Sequence, residues 1–433
     1  MSSLSLSSIP PDVLRHIISF MSYTFTSVKV FRAVCQNWNR ILSESAIKNF
    51  SGGIENVELD EKTSVKNQEY LFGWRTRSVQ TCPILEHKYM QDSDYIQIAK
   101  ACPNLEIFTI WSYCGGHLSD NSIFEIVTRC PRLSNFTVSG DQKITNTTCF
   151  NISDNCKNLS SLSLNLHKTR VNDVGFIYLL NGCLEMKELN IGFTRENLEE
   201  KSFCEISKLK NLESLMIDFN ISDNTLIQIA NGCRKLKNLD VISDIITRNS
   251  VLEVSKLCTE IVEIKLSSTV DIFLDIFADA YPNLQKCNFT IQTDDDSLYN
   301  FLKKCTCLTH INLITTNKNF TDRTINEISN CSELKSLLLD NNCQMSNETF
   351  CRIIEGCPKI SSLELSEMDL SSESFSAISK LKYLRNCYIY GFITQECITS
   401  IVEGCSNLEY LSINSQSLIR DFVKLPRDPQ RDS

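Results

Sequence analysis

The chain has 433 residues, 42% of them hydrophobic and 22% charged, with only 13 Gly and 9 Pro, a composition that excludes a disordered or low-complexity protein. A net charge of −9, from 43 Lys and Arg against 52 Asp and Glu, leaves no broad basic face and argues against nucleic acid as a partner, a local basic patch aside. No apolar run is long enough to span a bilayer, and residues 1–11 lack both a basic n-region and an unbroken apolar core, so neither a membrane span nor a secretory signal is expected. The 21 cysteines are therefore read as thiols of a reducing compartment, cytoplasmic and/or nuclear, and not as a disulfide framework.

The first predicted elements are two or three short helices within residues 9–41. Pro10 and Pro11 suit a helix entry, where a fixed φ helps and a missing N–H is harmless. Leu14, Ile17, Ile18 and Met21 then share one apolar face, and Val30, Phe31, Val34, Trp38 and Ile41 repeat the spacing after a polar loop. A module of roughly 40 residues buries too little surface to stand alone, so it leans on the rest of the chain or on a partner.

From residue 54 onward the sequence repeats. The pattern is apolar-x-x-apolar-x-apolar, clear in Leu159-x-x-Leu162-x-Leu164, Leu212-x-x-Leu215-x-Ile217 and Leu334-x-x-Leu337-x-Leu339. It opens fifteen units from Ile54 and Val79 through to Leu384 and Leu408, spaced by about 25 residues, which is leucine-rich-repeat spacing. The third residue before the start is Cys in ten of the fifteen, from Cys102 to Cys405; the others are Ser51, Thr76, Leu209, Tyr281 and Leu381. A position that takes Cys, Leu or Tyr is a buried rung and not a ligand. The nearest approach to metal-ligand spacing is Cys305-Thr-Cys307, and with no Cys-x-x-Cys anywhere no metal and no cofactor is expected.

After each strand pattern comes a polar helix start, such as Ser222-Asp223, Thr321-Asp322 or Ser346-Asn347, and then an apolar stripe at helical spacing. Gly182, Gly232, Gly356 and Gly404 end that stripe, where a left-handed helix cap is expected. A strand-plus-helix coil of this size cannot bury its own apolar face, so coils must stack. The expected fold is an α/β solenoid, a horseshoe with parallel strands on the concave face and helices on the convex face. The last elements are an apolar segment, Leu418–Leu425, that caps the final repeat, and a charged, proline-containing tail.

The repeat resembles the cysteine-containing leucine-rich repeats, over residues 50 to about 415. The N-terminal helices resemble an F-box: Ile9-Pro10 stands for its opening Leu-Pro, Leu14 to Met21 for its first apolar helix, and Val34-Cys35-Gln-Asn-Trp38 for its Val-Cys-x-x-Trp signature. The loop Ser22–Ser27 is longer than the family's and brings no acidic residue ahead of the next helix. The expected domains are therefore an F-box over residues 1–48, a repeat solenoid over 49–417 and a cap with tail over 418–433.

The resemblance implies a substrate receptor of an SCF-type ubiquitin ligase. The F-box would engage a Skp-type adaptor, and through it a cullin–RING ligase, using Ile9, Pro10, Leu14, Ile17, Ile18, Met21, Phe31, Val34, Cys35 and Trp38. The concave face would hold a protein substrate. Its outward strand positions are mostly Asn, Ser, Thr, Asp and Glu, with Trp111 near the start and Tyr388, Tyr390 and Tyr410 near the end as aromatic candidates. These tyrosines serve equally as part of a C-terminal cap. No catalytic residue is expected, because no room remains for a catalytic domain and the five histidines are scattered. The alternative is a scaffold that binds the adaptor without assembling a ligase; a small-molecule co-receptor would need a basic cluster that the concave positions do not show.

Overall fold

The computed structural model describes residues 56–59, 76–81, 91–112, 118–140, 144–166, 169–193, 198–243, 245–267, 274–291, 294–315, 320–340, 343, 345–366, 368, 370–391, 393–414 and 421–424. The chain divides into two compact units, Met1–Leu212 and Glu213–Ser433.

In the first unit six strands pair in parallel and in sequence order: β1 (Asn56–Leu59), β2 (Ser78–Thr81), β3 (Ile107–Ser112), β4 (Asn135–Gly140), β5 (Ser161–Leu166) and β6 (Glu188–Phe193). From β2 onward each is followed by a helix: α1 (Asp92–Ala101), α2 (Asp120–Arg129), α3 (Asn146–Asn155), α4 (Asp173–Gly182) and the short α5 (Glu200–Phe203), which runs into a 3-10 turn, Cys204–Lys208.

The second unit is built from the same strand-and-helix coil. Its parallel strands are β7 (Ser214–Asp218), β8 (Asn238–Ile242), β9 (Glu263–Ser267), β10 (Lys286–Ile291), β11 (His310–Thr315), β12 (Ser336–Leu339), β13 (Ser362–Ser366), β14 (Asn386–Tyr390) and β15 (Tyr410–Asn414). Between them lie α6 (Asp223–Gly232), α7 (Arg248–Leu257), α8 (Leu274–Ala280), α9 (Asp295–Lys304), α10 (Asp322–Ile325), α11 (Asn347–Gly356), α12 (Ser372–Ala377) and α13 (Gln395–Gly404). A last strand, β16 (Asp421–Lys424), pairs antiparallel with β15. It lies within the segment expected to cap the final repeat and turns the chain back along the outermost parallel strand.

Both units are leucine-rich-repeat solenoid, built as the strand pattern requires. In β5 Leu162 and Leu164 are buried while Ser161, Ser163 and Asn165 face away from the core, the period-two alternation of a sheet with one covered face. Like positions of neighbouring repeats face one another in register, so the core is built of rows. Phe108 and Phe136 stack at 5.7 Å, and Phe108 meets Tyr95 of α1 edge-on at 6.3 Å.

One repeat frame differs from the sequence expectation. Val79 pairs with Val57 and with Phe108, the second apolar position of its neighbours, so its unit starts at Thr76 and not at Val79. Thr76 is fully buried where other repeats place a leucine. The sequence pattern slid by three residues because a buried threonine does not register as apolar.

All ten repeat cysteines are buried, as are Leu209, Tyr281 and Leu381 at the same position. Each cysteine sits just past the helix or turn before its strand. Its thiol adds a weak second donor to backbone carbonyls of the previous coil that already accept an N–H. The Cys130 Sγ lies 3.3 Å from the Cys102 oxygen, Cys357 Sγ 3.2 Å from the Ile328 oxygen and Cys405 Sγ 3.3 Å from the Ile378 oxygen.

The helix-ending glycines are not left-handed caps. Among the described residues the glycine with positive φ is Gly391. Gly356 and Gly404 are needed because successive helices nearly touch: a Cβ on Gly356 would lie 2.2 Å from the Ser329 backbone oxygen, and one on Gly404 2.6 Å from that of Ser379. On Gly182 it would meet the Ser153 side chain.

A second inter-repeat device sits at the other helix end. In eight of the helices the first residue reaches forward to the amide that opens the next helix. Asp92 accepts from the Ser119 N–H at 2.8 Å, Asp120 from Thr145 at 2.9 Å, Asn146 from Asn172 at 2.9 Å and Asp173 from Glu199 at 2.9 Å. In the second unit Asp223, Asp295, Asp322 and Asn347 do the same for Thr247, Thr321, Ser346 and Ser371. Each acceptor satisfies an orphan donor and places its oxygens at the positive end of a helix dipole.

For Asp322, partial burial pushes the carboxyl up, but hydrogen bonds from Ser346 and Thr349 and the nearby Arg352 outweigh it and hold it below the ordinary carboxylate range. Asp223 and Asp295 are shifted in the same direction against the same burial, by bonds from the threonines and serine they serve. A depressed folded value means stability that is present above about pH 4, the unfolded carboxylate value, and lost as pH falls through the folded one. The triple change Asp223→Asn, Asp295→Asn and Asp322→Asn keeps the accepting oxygen, as Asn146 and Asn347 already do. Thermal melts between about pH 5 and 3 should show it losing less stability than the parent; an identical acid dependence would show that these carboxylates do not tie the coils.

Candidate functional site

The open face of each sheet carries the outward residues of every strand in laterally aligned rows. In the first unit most of these on β4 and β5 are small and polar, with Ser139 and Asn165 side by side. Among the described residues the buried Ser139 hydroxyl and Asn165 Oδ1 make no hydrogen bond. The Trp111 backbone pairs with Ser139 in the β3–β4 register, while its side chain lies outside the described residues.

In the second unit one row runs Asn238, Glu263, Lys286, His310, Ser336, Ser362, Asn386, Tyr410. The next, two residues further along each strand, runs Asp240, Lys265, Asn288, Asn312, Leu338, Glu364, Tyr388, Ser412. On β8 to β10 the charges compensate: Lys265 Nζ lies 3.0 Å from Asp240 and Lys286 Nζ 2.9 Å from Glu263, which also accepts from Asn238 Nδ2 at 3.2 Å. Burial raises the Asp240 carboxyl above its ordinary value against the pull of Lys265, and the neighbouring Glu263 and Asp218 add to the rise. Burial, and then Lys286, hold the His310 imidazole below its usual value, with Glu263 opposing. Among the described residues the Oδ1 atoms of Asp240 and Asn312 are buried without a hydrogen-bond partner.

Toward the C-terminal end the row turns aromatic. Tyr388 and Tyr390 are half-buried two residues apart on β14, and Tyr410 on β15 is 45% exposed. The register sets Tyr410 opposite Asn386, diagonal to Tyr388 and further from Tyr390. Glu364 of β13 lies directly beside Tyr388. The sequence pointed to the tyrosines by their size; Glu364, Asp240 and Asn312 were passed over because Asp, Glu and Asn recur at outward positions throughout, and only the register shows which neighbours each of them has.

The rung thiols are poor nucleophiles. Burial pushes Cys130, Cys156, Cys305, Cys331 and Cys357 up to about 12 and Cys183, Cys258 and Cys405 up to about 11. Cys305 is buried and its Sγ lies 3.7 Å from the Tyr281 oxygen, whereas Cys307 is exposed. The two therefore do not face a common site.

Ile9, Pro10, Leu14, Ile17, Ile18, Met21, Phe31, Val34, Cys35 and Trp38 lie outside the described residues. For that stretch the comparison with known families decides: residues 6–50 match the F-box domain. The chain therefore combines an F-box domain with a leucine-rich-repeat solenoid. Over 79 residues it is 39% identical to the F-box/LRR-repeat protein 4 of Bos taurus, a match spanning 18% of this chain and 13% of that relative. Among solved structures, a chain of the yeast Rad7 and Elc1 complex aligns over 84% of this chain and 88% of its own length, with 14% identity and a TM-score of 0.55, a likeness of fold. The Leptospira interrogans LRR protein LIC12759 aligns more loosely, over 85% of this chain and 97% of its own, with 16% identity and a TM-score of 0.41. The chain thus joins an F-box sequence to repeats whose strands carry laterally aligned rows, turning aromatic on β14 and β15.

Proposed function

We propose that this protein is the substrate-recognition subunit of an SCF-type ubiquitin ligase. The observation that carries the reading is the F-box at residues 6–50 joined in one chain to a repeat stack whose strand face carries polar rows and an exposed tyrosine. An F-box implies a Skp-type adaptor as partner, and through it a cullin–RING assembly in the cytoplasm or nucleus. The likeness to a chain crystallised in the yeast Rad7 and Elc1 complex agrees with a partner-bound role.

In this reading the chain contributes no reacting group. It raises the concentration of substrate lysines near a loaded conjugating enzyme, the proximity effect of a bridging protein. Stacked repeats suit that task, because coils that each pack on the next hold a bound segment at a fixed distance and angle better than a flexible linker. The adaptor contacts fall on Ile9, Pro10, Leu14, Ile17, Ile18, Met21, Phe31, Val34, Cys35 and Trp38, and the substrate contacts on the strand face, with Trp111, Tyr388, Tyr390 and Tyr410 as anchors.

The test is purification of the full chain, and of a version lacking residues 1–48, each co-expressed with a Skp-type adaptor and a cullin. The full chain should bring down both partners and support ubiquitin transfer, and the shortened chain neither. Adaptor without cullin would overturn the ligase reading in favour of a scaffold, and a thioester on any cysteine of this chain would overturn its non-catalytic part.

A further inference from the structure

The last four parallel strands differ in charge from those before them. They read SLLL, SLELS, NCYIY and YLSIN, with no lysine or arginine in any. On β8 to β10 each outward lysine has an acidic partner. On β12 to β15 the outward carboxylate of β13, Glu364, has neither ion pair nor hydrogen bond among the described residues, though it is half-buried between Leu338 and Tyr388. The hydroxyls of Tyr388, Tyr390 and Tyr410 make no hydrogen bond there either. The nearby Arg385 is engaged with Glu409 at 3.3 Å.

Carboxylate, ring and apolar flank are adjacent by register. Glu364 and Tyr388 are lateral partners on neighbouring strands, about 4.8 Å apart at the backbone. Leu338 lies on the other side of Glu364, and Tyr410 is diagonal to Tyr388. A half-buried carboxylate without a counter-ion is a ready acceptor for a cationic donor, and a tyrosine face attracts cations. The side chain that answers both is arginine: its planar guanidinium stacks on a ring while its fork meets a carboxylate, and its methylene stem covers apolar surface. Lysine, a strongly hydrated point charge, matches this less well.

We propose that the strand face of β12 to β15 receives an arginine-bearing segment of the protein substrate, its guanidinium seated between Glu364 and the Tyr388 ring. This rests on the reading of the strand face as the substrate site and specifies what that site selects. The remaining tyrosines flank the seat and take the residues next to the arginine.

The probe is a displayed library of random dodecapeptides selected on the full-length chain, which needs neither adaptor nor cullin. Arginine should be enriched in the recovered pool. A recovered peptide remade with citrulline, the neutral isostere, should bind the parent chain about tenfold more weakly. On Glu364→Gln the two peptides should bind nearly alike, and Tyr388→Ala should weaken the arginine peptide selectively while both variants melt like the parent. An empty pool, a pool without arginine enrichment, or arginine binding indifferent to both substitutions would overturn the proposal. Adaptor and cullin capture is measured separately, so a ligase subunit that ignores arginine remains distinguishable from a chain that is no ligase subunit.

Discussion

Replacing Phe136 with alanine should destabilise the N-terminal unit by about 3–5 kcal/mol, more than any surface change in the protein. Phe136 is fully buried and stacks on Phe108 at 5.7 Å with the rings nearly parallel. Phe108 in turn meets Tyr95. The ring therefore belongs to the seam between coils and not to one coil. In a stack where each coil packs only on its neighbours, a cavity at a seam cannot be filled by rearrangement from elsewhere. Denaturant melts should show the loss, and hydrogen exchange should place the loosened amides around β3, β4 and β5. Phe136→Leu, which keeps most of the volume, should cost about 1 kcal/mol. A loss below that for the alanine variant would mean that the aromatic row is not what holds these coils together.

Why the architecture could be read in advance, and where it could not, follows from which interactions leave a periodic trace. The strand pattern and the rung cysteines recur because stacking demands one apolar residue at one place in every coil, and burial of all ten cysteines agrees with that. The second repeat broke the frame because Thr76 does with a buried hydroxyl what leucine does elsewhere. The glycines misled for another reason. A glycine after a helical stripe reads as a left-handed cap, whereas Gly356 and Gly404 are required by the approach of the preceding helix, a relation between coils that a single chain segment does not display. The forward-reaching Asp and Asn residues were seen only as helix-start composition. Their partners lie one repeat on, as for Asp120 and Thr145, so local pattern names the residue type but not its target.

The candidate site was legible to a similar depth. Outward strand positions follow from alternation, and Tyr388, Tyr390 and Tyr410 stand out among them by size. What alternation cannot supply is lateral register. Only the pairing of β13 with β14 puts Glu364 beside Tyr388, and only the pairing of β14 with β15 sets Tyr410 against Asn386 and not against Tyr390. Likewise the paired and unpaired carboxylates look alike in sequence; Glu263 has Lys286 across the strand gap, and Glu364 has leucine and tyrosine.

The largest effect on assembly is expected from the F-box. Trp38→Ala combined with Leu14→Ala should weaken capture of a purified Skp-type adaptor by about a hundredfold or more, since buried aromatic anchors carry a disproportionate share of interface energy. Trp38 closes the Val34-Cys35-Gln-Asn-Trp38 signature within the stretch that matches the F-box domain, and Leu14 opens the first apolar stripe of the same stretch. A module this small has too few apolar residues both to fill a core and to lean on the repeats while leaving a broad surface for a partner. Its residues must therefore divide between the two tasks, and affinity and melting temperature measured together sort them. For this pair the affinity should fall while the melting of the repeats stays where it was. If the melting temperature drops and adaptor affinity does not, these two side chains pack inward, and the adaptor contact shifts to the remaining face formed by Ile17, Ile18, Met21 and Phe31.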